Sequence, residues 1–176
     1  NIRNAGIDLF KETARVQGAG EVRAGGTTLR GTSIILATGA RAHVPHVPGL
    51  EETGYITNIE AVLLPELPAS LVILGAGIIA LEFAQIFARF GVAVTVLSRK
   101  PRLLPMVDAE MAAALQRELE RDGVAFRMKA TLQAVSSHEG QKRVTIRQGT
   151  DEHHLDVAEI LVAAGREPNI EGMGLR

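Results

Sequence analysis

Two glycines, Gly75 and Gly77, have a spacing that suits the binding of a phosphate group. They open GAGIIA (75–80), which follows the apolar run LVIL (71–74) and begins a helical pattern. The first glycine permits a tight turn and the second lets the backbone approach a pyrophosphate, while Ala80 is small enough to pack the helix on the strand. Helix N-terminal N–H groups attract anions. The pattern predicts a dinucleotide pyrophosphate site, the alternative being a tight strand–helix junction without a ligand.

The end of the next predicted strand carries cations where a dinucleotide site usually carries an acid. VAVTVL (92–97) is followed by Ser98, Arg99 and Lys100. An acid at the position of Ser98 accepts hydrogen bonds from the ribose 2′-OH and repels a 2′-phosphate. Arginine instead presents a planar fork to a phosphate, and lysine adds positive charge. We therefore predict NADP as the cofactor, with NAD as the alternative; a solvated basic loop reaching Arg102 would leave the choice undecided.

A polar stripe runs along the helix predicted after the glycine turn. Glu82, Gln85 and Arg89 recur at helical spacing on an otherwise apolar segment that ends at Gly91. For Gln85 and Arg89 we predict an ordinary solvent-facing edge. Glu82 lies near the phosphate-binding end, where a carboxylate does not help to bind an anion, so a surface role and a functional role both stay open.

The composition excludes several classes of function. The chain has 176 residues, 46% of them hydrophobic, with a net charge of -1, 3% aromatic residues and no Trp. Nothing in it resembles a basic surface for nucleic acid or an anionic membrane. The longest apolar run (71–81) is too short to span a bilayer. The absence of Cys rules out disulfide chemistry within these residues and leads us to expect a cytoplasmic protein.

Two segments of the chain resemble each other. LRGTSIILATGAR (29–41) and LDVAEILVAAGRE (155–167) align without a gap, matching Gly39 to Gly165, and each is followed by proline. Two similar strand endings on either side of a complete βαβ unit predict two related nucleotide-binding domains. Chance similarity of two apolar strands is the alternative.

This arrangement predicts a domain inserted into another domain. Residues 1–52 and 164–176 would belong to one incomplete domain, and residues 53–163 would form a second, after the Pro- and Gly-rich connector HVPHVPGLEETG. Within the inserted domain we predict a short helix at 57–64 and a long one at 108–122 with Met111, Leu115 and Leu119 on one face. The predicted strands are 71–74, 92–97, 124–128, 131–137, 143–148 and 156–163. The fold class would be α/β, a Rossmann-like parallel sheet with helices on both faces and an antiparallel meander.

Three motifs in this order resemble the FAD-dependent pyridine nucleotide–disulfide oxidoreductases, a family that includes glutathione reductase, dihydrolipoamide dehydrogenase and mercuric reductase. They are ILATGAR (35–41) with VPGL (47–50), GAGIIALEFAQIFARFGVAVTVLSR (75–99), and LVAAGREPN (161–169). The resemblance covers nearly the whole chain. It implies a FAD- and NAD(P)-binding fold in which hydride passes from nicotinamide to flavin and on to a disulfide or another acceptor.

The resemblance also assigns roles to individual residues. The nicotinamide cofactor would be held by Gly75, Ala76, Gly77, Ile78, Ile79, Ser98, Arg99, Lys100 and Gly165. FAD would lie against Ala37, Thr38 and Gly39. Glu82 matches a helix glutamate that pairs with a lysine beside the flavin and nicotinamide, which favours its functional role as the catalytic-site residue of this chain.

The chain departs from the family pattern in several places. Ala42 stands where proline is common, and Ala164 replaces a threonine; both changes leave backbone contacts plausible. The family's first glycine motif, redox cysteine pair and dimerisation domain with its histidine are not present in these residues. We therefore expect a fragment that is inactive alone, from a protein that is a homodimer at full length. The pairs His43/His46 and His153/His154 lack a third ligand, so no metal site is predicted.

Two other functions remain open at this point. A flavin NAD(P)H oxidase or a ferredoxin-reductase-like enzyme would use the same cofactors without a disulfide. A non-catalytic NAD(P)-sensing module would bind nucleotide without flavin, although the ILATGAR segment argues against it. The residues do not name the terminal electron acceptor, and no nucleic-acid or membrane partner is predicted.

Overall fold

The computed structural model describes residues 5–175 and divides the chain into two compact units. The first unit comprises the chain up to Arg41 and from Pro168 onward, and the second is Ala42–Glu167. Along the chain, the second unit is thus inserted into the first. The outermost residues of the predicted domains, 1–4 and 176, lie outside the described residues.

The first unit contains a three-stranded antiparallel sheet in the order β1-β2-β3. Its strands are β1 (Ala14–Gly18), β2 (Glu21–Ala24) and β3 (Thr27–Arg30), and the chain leaves the unit through β4 (Ala40–Ala42). The turn between β2 and β3 contains Gly25, whose φ of 55° lies in the left-handed region that glycine adopts without strain.

The strand predicted within residues 29–41 is not formed. Residues 31–39 belong to no strand, and Ile35 is 90% exposed. A strand requires a neighbour to bond its backbone, and among residues 5–175 no strand pairs with this segment. The similar segment around Ile160 does form a buried strand, because it lies beside another strand of its own unit. Among residues 5–175, residues 31–39 of the first similar segment therefore form no strand.

The second unit carries the remaining elements. Its helices are α1 (Leu50–Thr53), α2 (Asn58–Ala61), α3 (Ile78–Arg89) and α4 (Ala109–Arg121). Its strands are β5 (Ser70–Leu74), β6 (Ala93–Ser98), β7 (Ala125–Met128), β8 (Ala130–His138), β9 (Gln141–Gln148), β10 (Asp151–Val157) and β11 (Glu159–Val162), after which β12 (Arg166–Pro168) leads out. No helix among residues 5–175 has the length and hydropathy needed to cross a membrane.

A four-stranded parallel sheet in the order β11-β5-β6-β7 lies at the centre of the second unit. Alternate residues of β5 serve its two faces: Leu71 and Ile73 pack with α3, whereas Val72 and Leu74 pack with the antiparallel sheet β10-β9-β8. Burial on both faces explains why this strand is a continuous apolar run. The α/β fold class with an antiparallel meander is confirmed.

Three details of this unit differ from expectation. The second face of the parallel sheet is covered by the antiparallel sheet and the one-turn α1, not by a helix layer. Residues 151–157, polar and rich in histidine, form the separate strand β10, because a meander strand needs only one buried face. Met111 is 66% exposed, and the buried positions of α4 are Ala112 and Leu119.

The connector before α1 belongs to the second unit. The sequence placed the first boundary near residue 52, whereas the contacts place it after Arg41. Leu50 is fully buried in the core with Val135, and the Val135 amide donates to the carbonyl oxygen of Pro48 over 2.9 Å. A proline-rich stretch looks like a linker in sequence, but one buried leucine is enough to attach it to a core.

Candidate functional site

A cavity of about 880 Å³ opens at the carboxyl ends of β5, β6 and β11 in the second unit. Ligands of open α/β sheets bind at this edge because the loops and helix N-termini there converge. The nine residues predicted to hold a nicotinamide cofactor all line the cavity: Gly75, Ala76, Gly77, Ile78, Ile79, Ser98, Arg99, Lys100 and Gly165.

Gly75 and Gly77 serve the turn in different ways. Gly75 has φ 121°, and a Cβ there would lie 2.3 Å from the carbonyl oxygen of Ala163. The fold itself therefore requires glycine at this position. Gly77 has an ordinary extended backbone, and a Cβ there would meet no protein atom within 4 Å. The space above Gly77 is therefore kept open on the side where the cavity lies.

The N-terminus of α3 differs from those of α2 and α4. Thr57 caps α2 with a complete capping box, and Asp108 caps α4 by accepting a hydrogen bond from the amide of Glu110 over 2.8 Å. The N-cap of α3 is Gly77, which has no side chain to accept from the first-turn amides. Those amides lie at the cavity and carry the positive end of the helix dipole. They suit an anionic ligand such as a pyrophosphate.

The end of β6 places two cations at the same cavity. Ser98 is buried, and its Oγ accepts a hydrogen bond from the Lys100 amide over 3.1 Å, which closes a small turn. Arg99 and Lys100 are exposed and line the cavity. Within residues 5–175 neither side chain has an ion-pair or hydrogen-bond partner. Both cations are available to a ligand.

Several residues that line the cavity were not predicted to do so from the sequence. Asn58 and Thr131 line it, as do His43, His46 and Pro105. Arg102 also lines it, and its guanidinium is bonded to two backbone carbonyls rather than solvated, which a basic run in sequence does not reveal. These residues are distant in sequence from the glycine turn, so only the folded chain brings them to it.

Gly165 lines the cavity just after β11, the strand that pairs with β5. Its φ is 133°, and its carbonyl oxygen accepts a hydrogen bond from the His43 amide over 2.9 Å. The His43 Nδ1 lies 3.4 Å from Glu167 Oε2. These bonds hold the segment that borders the cavity beside the glycine turn.

Glu82 lies outside the cavity lining. It is exposed on the second turn of α3 and has no partner among the described residues. The other two residues of the polar stripe are not a free solvent edge: Gln85 Nε2 and Arg89 Nε donate to Asp122 Oδ2 over 2.8 and 3.0 Å. These bonds lower the pKa of Asp122 below its ordinary value, the Gln85 bond most. The stripe thus joins α3 to the end of α4.

The residues predicted to lie against FAD belong to the first unit. Ala37, Thr38 and Gly39 are exposed. The Asn169 side-chain amide donates to the carbonyl oxygen of Thr38 over 3.2 Å, and its backbone amide donates to that of Gly39 over 3.0 Å. Among residues 5–175, no three His, Cys, Asp or Glu side chains gather as a metal site.

Arg41 strengthens the same contact between the two segments of the first unit. It donates to both carboxylate oxygens of Glu171, over 2.7 and 2.8 Å. The hydrogen bonds from Arg41 are the main reason that the pKa of Glu171 falls to about 2.

The chain is similar to known proteins along its whole length. A family model described as pyridine nucleotide-disulphide oxidoreductase matches residues 1–176. Mercuric reductase of Staphylococcus aureus is 32% identical over 174 residues, which are 99% of this chain and 32% of that protein. Dihydrolipoyl dehydrogenase of Acholeplasma laidlawii is 31% identical over 176 residues, 98% of this chain and 51% of that protein.

A solved structure is similar as well. The Cu(II) complex of the HOCl-induced flavoprotein disulfide reductase RclA from Escherichia coli matches with a TM-score of 0.80 and 32% identity. The match covers 96% of this chain and 38% of that one. The chain therefore spans about a third to a half of the length of these relatives.

Proposed function

Because the chain belongs to the pyridine nucleotide-disulphide oxidoreductase family, we propose that its second unit binds NADPH as part of a larger flavoprotein oxidoreductase. The observation that carries this proposal is one cavity that joins the uncapped N-terminus of α3 to the unpaired cations Arg99 and Lys100. Dinucleotides place a pyrophosphate at such a helix terminus, and the 2′-phosphate of NADPH needs a cation at the end of the next strand.

Each part of the nucleotide has residues suited to it. The first-turn amides of α3 can donate hydrogen bonds to the pyrophosphate, and the absence of a side chain at Gly77 allows it to approach. Ser98 has an O–H that can donate to a phosphate or ribose oxygen, since its Oγ already accepts from Lys100. Arg99 offers a fork of donors to the 2′-phosphate. Ile78 and Gly165 border the other end of the cavity, where we place the nicotinamide.

We further propose that the first unit is part of a FAD-binding domain. Its segment at Ala37, Thr38 and Gly39 is held by hydrogen bonds from Asn169 to the Thr38 and Gly39 carbonyl oxygens, and all three residues are exposed. Glu82 is exposed and has no partner among residues 5–175, so it is free to pair with a lysine that the rest of the protein would supply. When bound, nicotinamide and flavin supply hydride transfer, while the chain provides binding and orientation.

The onward acceptor lies beyond these residues. Since the chain has no Cys, a cysteine pair or another acceptor would belong to other parts of the protein, which we propose to be a homodimer. The disulfide-reductase reading is supported by the names of the relatives, all of which are reductases or dehydrogenases.

The nucleotide proposal is tested by titrating the protein with NADPH and NADH at one moderate salt concentration. We expect the parent protein to bind NADPH more tightly than NADH. Arg99→Ala should weaken NADPH binding by about 10- to 100-fold, which corresponds to the loss of a charge-assisted hydrogen bond of about 1.5–3 kcal/mol. The affinity for NADH should be nearly unchanged. Arg121→Ala is the matched control, because Arg121 is an exposed arginine of α4 that pairs with Glu118 and does not line the cavity. A parent protein that prefers NADH would overturn the proposal.

A further inference from the structure

The loop between β6 and α4 folds back over the glycine turn and is fastened at several points. The Leu104 amide donates to the carbonyl oxygen of Ala76 over 3.2 Å, and the Lys129 amide donates to that of Lys100 over 3.1 Å. Leu103 is fully buried in the core beside α3. The loop is thus part of the cavity wall and not a free surface segment.

Arg102 closes this loop on itself. Its Nη1 donates to the carbonyl oxygen of Val107 over 2.8 Å, and its Nη2 donates to that of Pro105 over 2.8 Å. A planar guanidinium can hold two carbonyls at once, whereas the single ammonium of a lysine has no fixed fork. The two terminal nitrogens of Arg102 are therefore engaged by the backbone of its own loop.

The loop needs such a fastening because its backbone is strained. Leu104 has φ 41°, a left-handed conformation that residues other than glycine rarely adopt and that persists only where the surroundings enforce it. Arg102 precedes Leu104 in the chain, and its two hydrogen bonds reach Pro105 and Val107, which follow Leu104, so they bridge the strained residue. Without them, we expect residues 102–107 to relax, and the start of the loop at Arg99 and Lys100 to lose its fixed position at the cavity.

We infer that Arg102 is a positioning residue for the 2′-phosphate site: through its bonds to Pro105 and Val107 it keeps Arg99 and Lys100 at the cavity, and it does not itself bind the phosphate. This inference rests on the proposed binding of NADPH. The alternative is that Arg102, which also lines the cavity, is a direct phosphate ligand. The two roles respond differently to a change that keeps the charge but removes the fork.

The experiment compares adenosine 2′,5′-bisphosphate with 5′-AMP, which lacks the 2′-phosphate, by calorimetric titration of the parent protein and of Arg102→Lys. We expect the parent to prefer the bisphosphate and Arg102→Lys to lose about tenfold or more of that preference, while 5′-AMP binding changes by less than about threefold. Hydrogen exchange at the Leu104 amide should become faster in the variant, since its bond to Ala76 depends on the closed loop. Arg121→Lys is the control, and should change neither.

The possible outcomes separate this inference from the proposed function. A parent that does not discriminate between the two probes overturns both. A discriminating parent whose preference survives in Arg102→Lys overturns the inference alone. Lost preference with unchanged exchange at Leu104 marks Arg102 as a direct ligand and also overturns it.

A measurement on the parent does not depend on whether the variant folds. In protein labelled with ¹⁵N in arginine, adding the bisphosphate should shift the guanidinium signal of Arg99 and leave that of Arg102 in place. A larger shift at Arg102 than at Arg99 would contradict the positioning role.

Discussion

The Leu104 amide is hydrogen-bonded to the carbonyl oxygen of Ala76 over 3.2 Å, which ties the loop after β6 to the glycine turn after β5. The two segments are those to which we assign the ribose end and the pyrophosphate of one nucleotide. Because each segment also continues from its own strand of the parallel sheet, a local change in the loop after β6 leaves the glycine turn largely in place. Substitutions in either are therefore best judged by several ligands rather than by one.

Gly77→Val should abolish nucleotide binding and leave the fold intact. A Cβ at Gly77 meets no protein atom within 4 Å and would fill the approach to the first-turn amides of α3. Gly75→Ala should instead destabilise the fold. Its Cβ would lie 2.3 Å from the Ala163 carbonyl oxygen, at a backbone φ of 121°. We expect this substitution to lower the free energy of unfolding by at least about 2 kcal/mol. Thermal unfolding together with NADPH titration checks both. Normal NADPH binding by Gly77→Val would refute the phosphate site.

Ser98→Glu should shift preference from NADPH toward NADH by about tenfold or more. The new carboxylate would repel the 2′-phosphate and accept from the ribose 2′-OH, and it can still accept from the Lys100 amide that now bonds Ser98 Oγ over 3.1 Å. Ser98→Gln, similar in size but neutral, is the control and should change the preference much less. The measurement is the ratio of the two dissociation constants at fixed salt. Equal shifts in both variants would show that size, not charge, is responsible.

Lys142→Met should destabilise the second unit by about 1.5–3 kcal/mol. Lys142 is only 17% exposed; it pairs with Glu159 and donates to the carbonyl oxygen of Gly54 over 2.9 Å, so its loss leaves a half-buried carboxylate without its cation. Chemical denaturation measures the effect. Arg121→Met, which breaks the exposed pair with Glu118, should cost less than about 1 kcal/mol. Adding Glu159→Gln to Lys142→Met should recover part of the stability; no recovery would mean that the charge pairing matters little.

The Glu171 carboxyl should titrate at about pH 2, well below its ordinary value of 4.5. The hydrogen bonds from Arg41 favour the ionised form in the folded state, so the stabilisation they provide is complete above pH 4.5 and is lost as the pH falls toward 2. Carboxyl ¹³C chemical shifts report the titration. Arg41→Gln should move the midpoint back toward 4.5, and a midpoint near 4.5 in the parent would show that the pair does not form in solution.

Local spacing in the sequence was sufficient to predict the elements around the glycine turn. The apolar run of β5, the glycines, the periodicity of α3 and the left-handed Gly91 after it depend on residues within a few positions of one another. The family, implied by three motifs of which this stretch is one, and the α/β fold class are confirmed. Such features can be predicted from the sequence because short-range sterics and local hydrogen bonding determine them.

Tertiary structure alone decided which side chains are engaged and which are free. In the sequence, Arg99 and Arg102 are two members of one basic run, but folding leaves the first unpaired at the cavity and bonds the second to Pro105 and Val107. Likewise Gln85 looks like a surface residue until α4 brings Asp122 to it. The contrast has one physical reason: hydrogen bonds between segments depend on how the chain packs, and packing is set by the whole core, whereas a turn or a helix is set by its own neighbours.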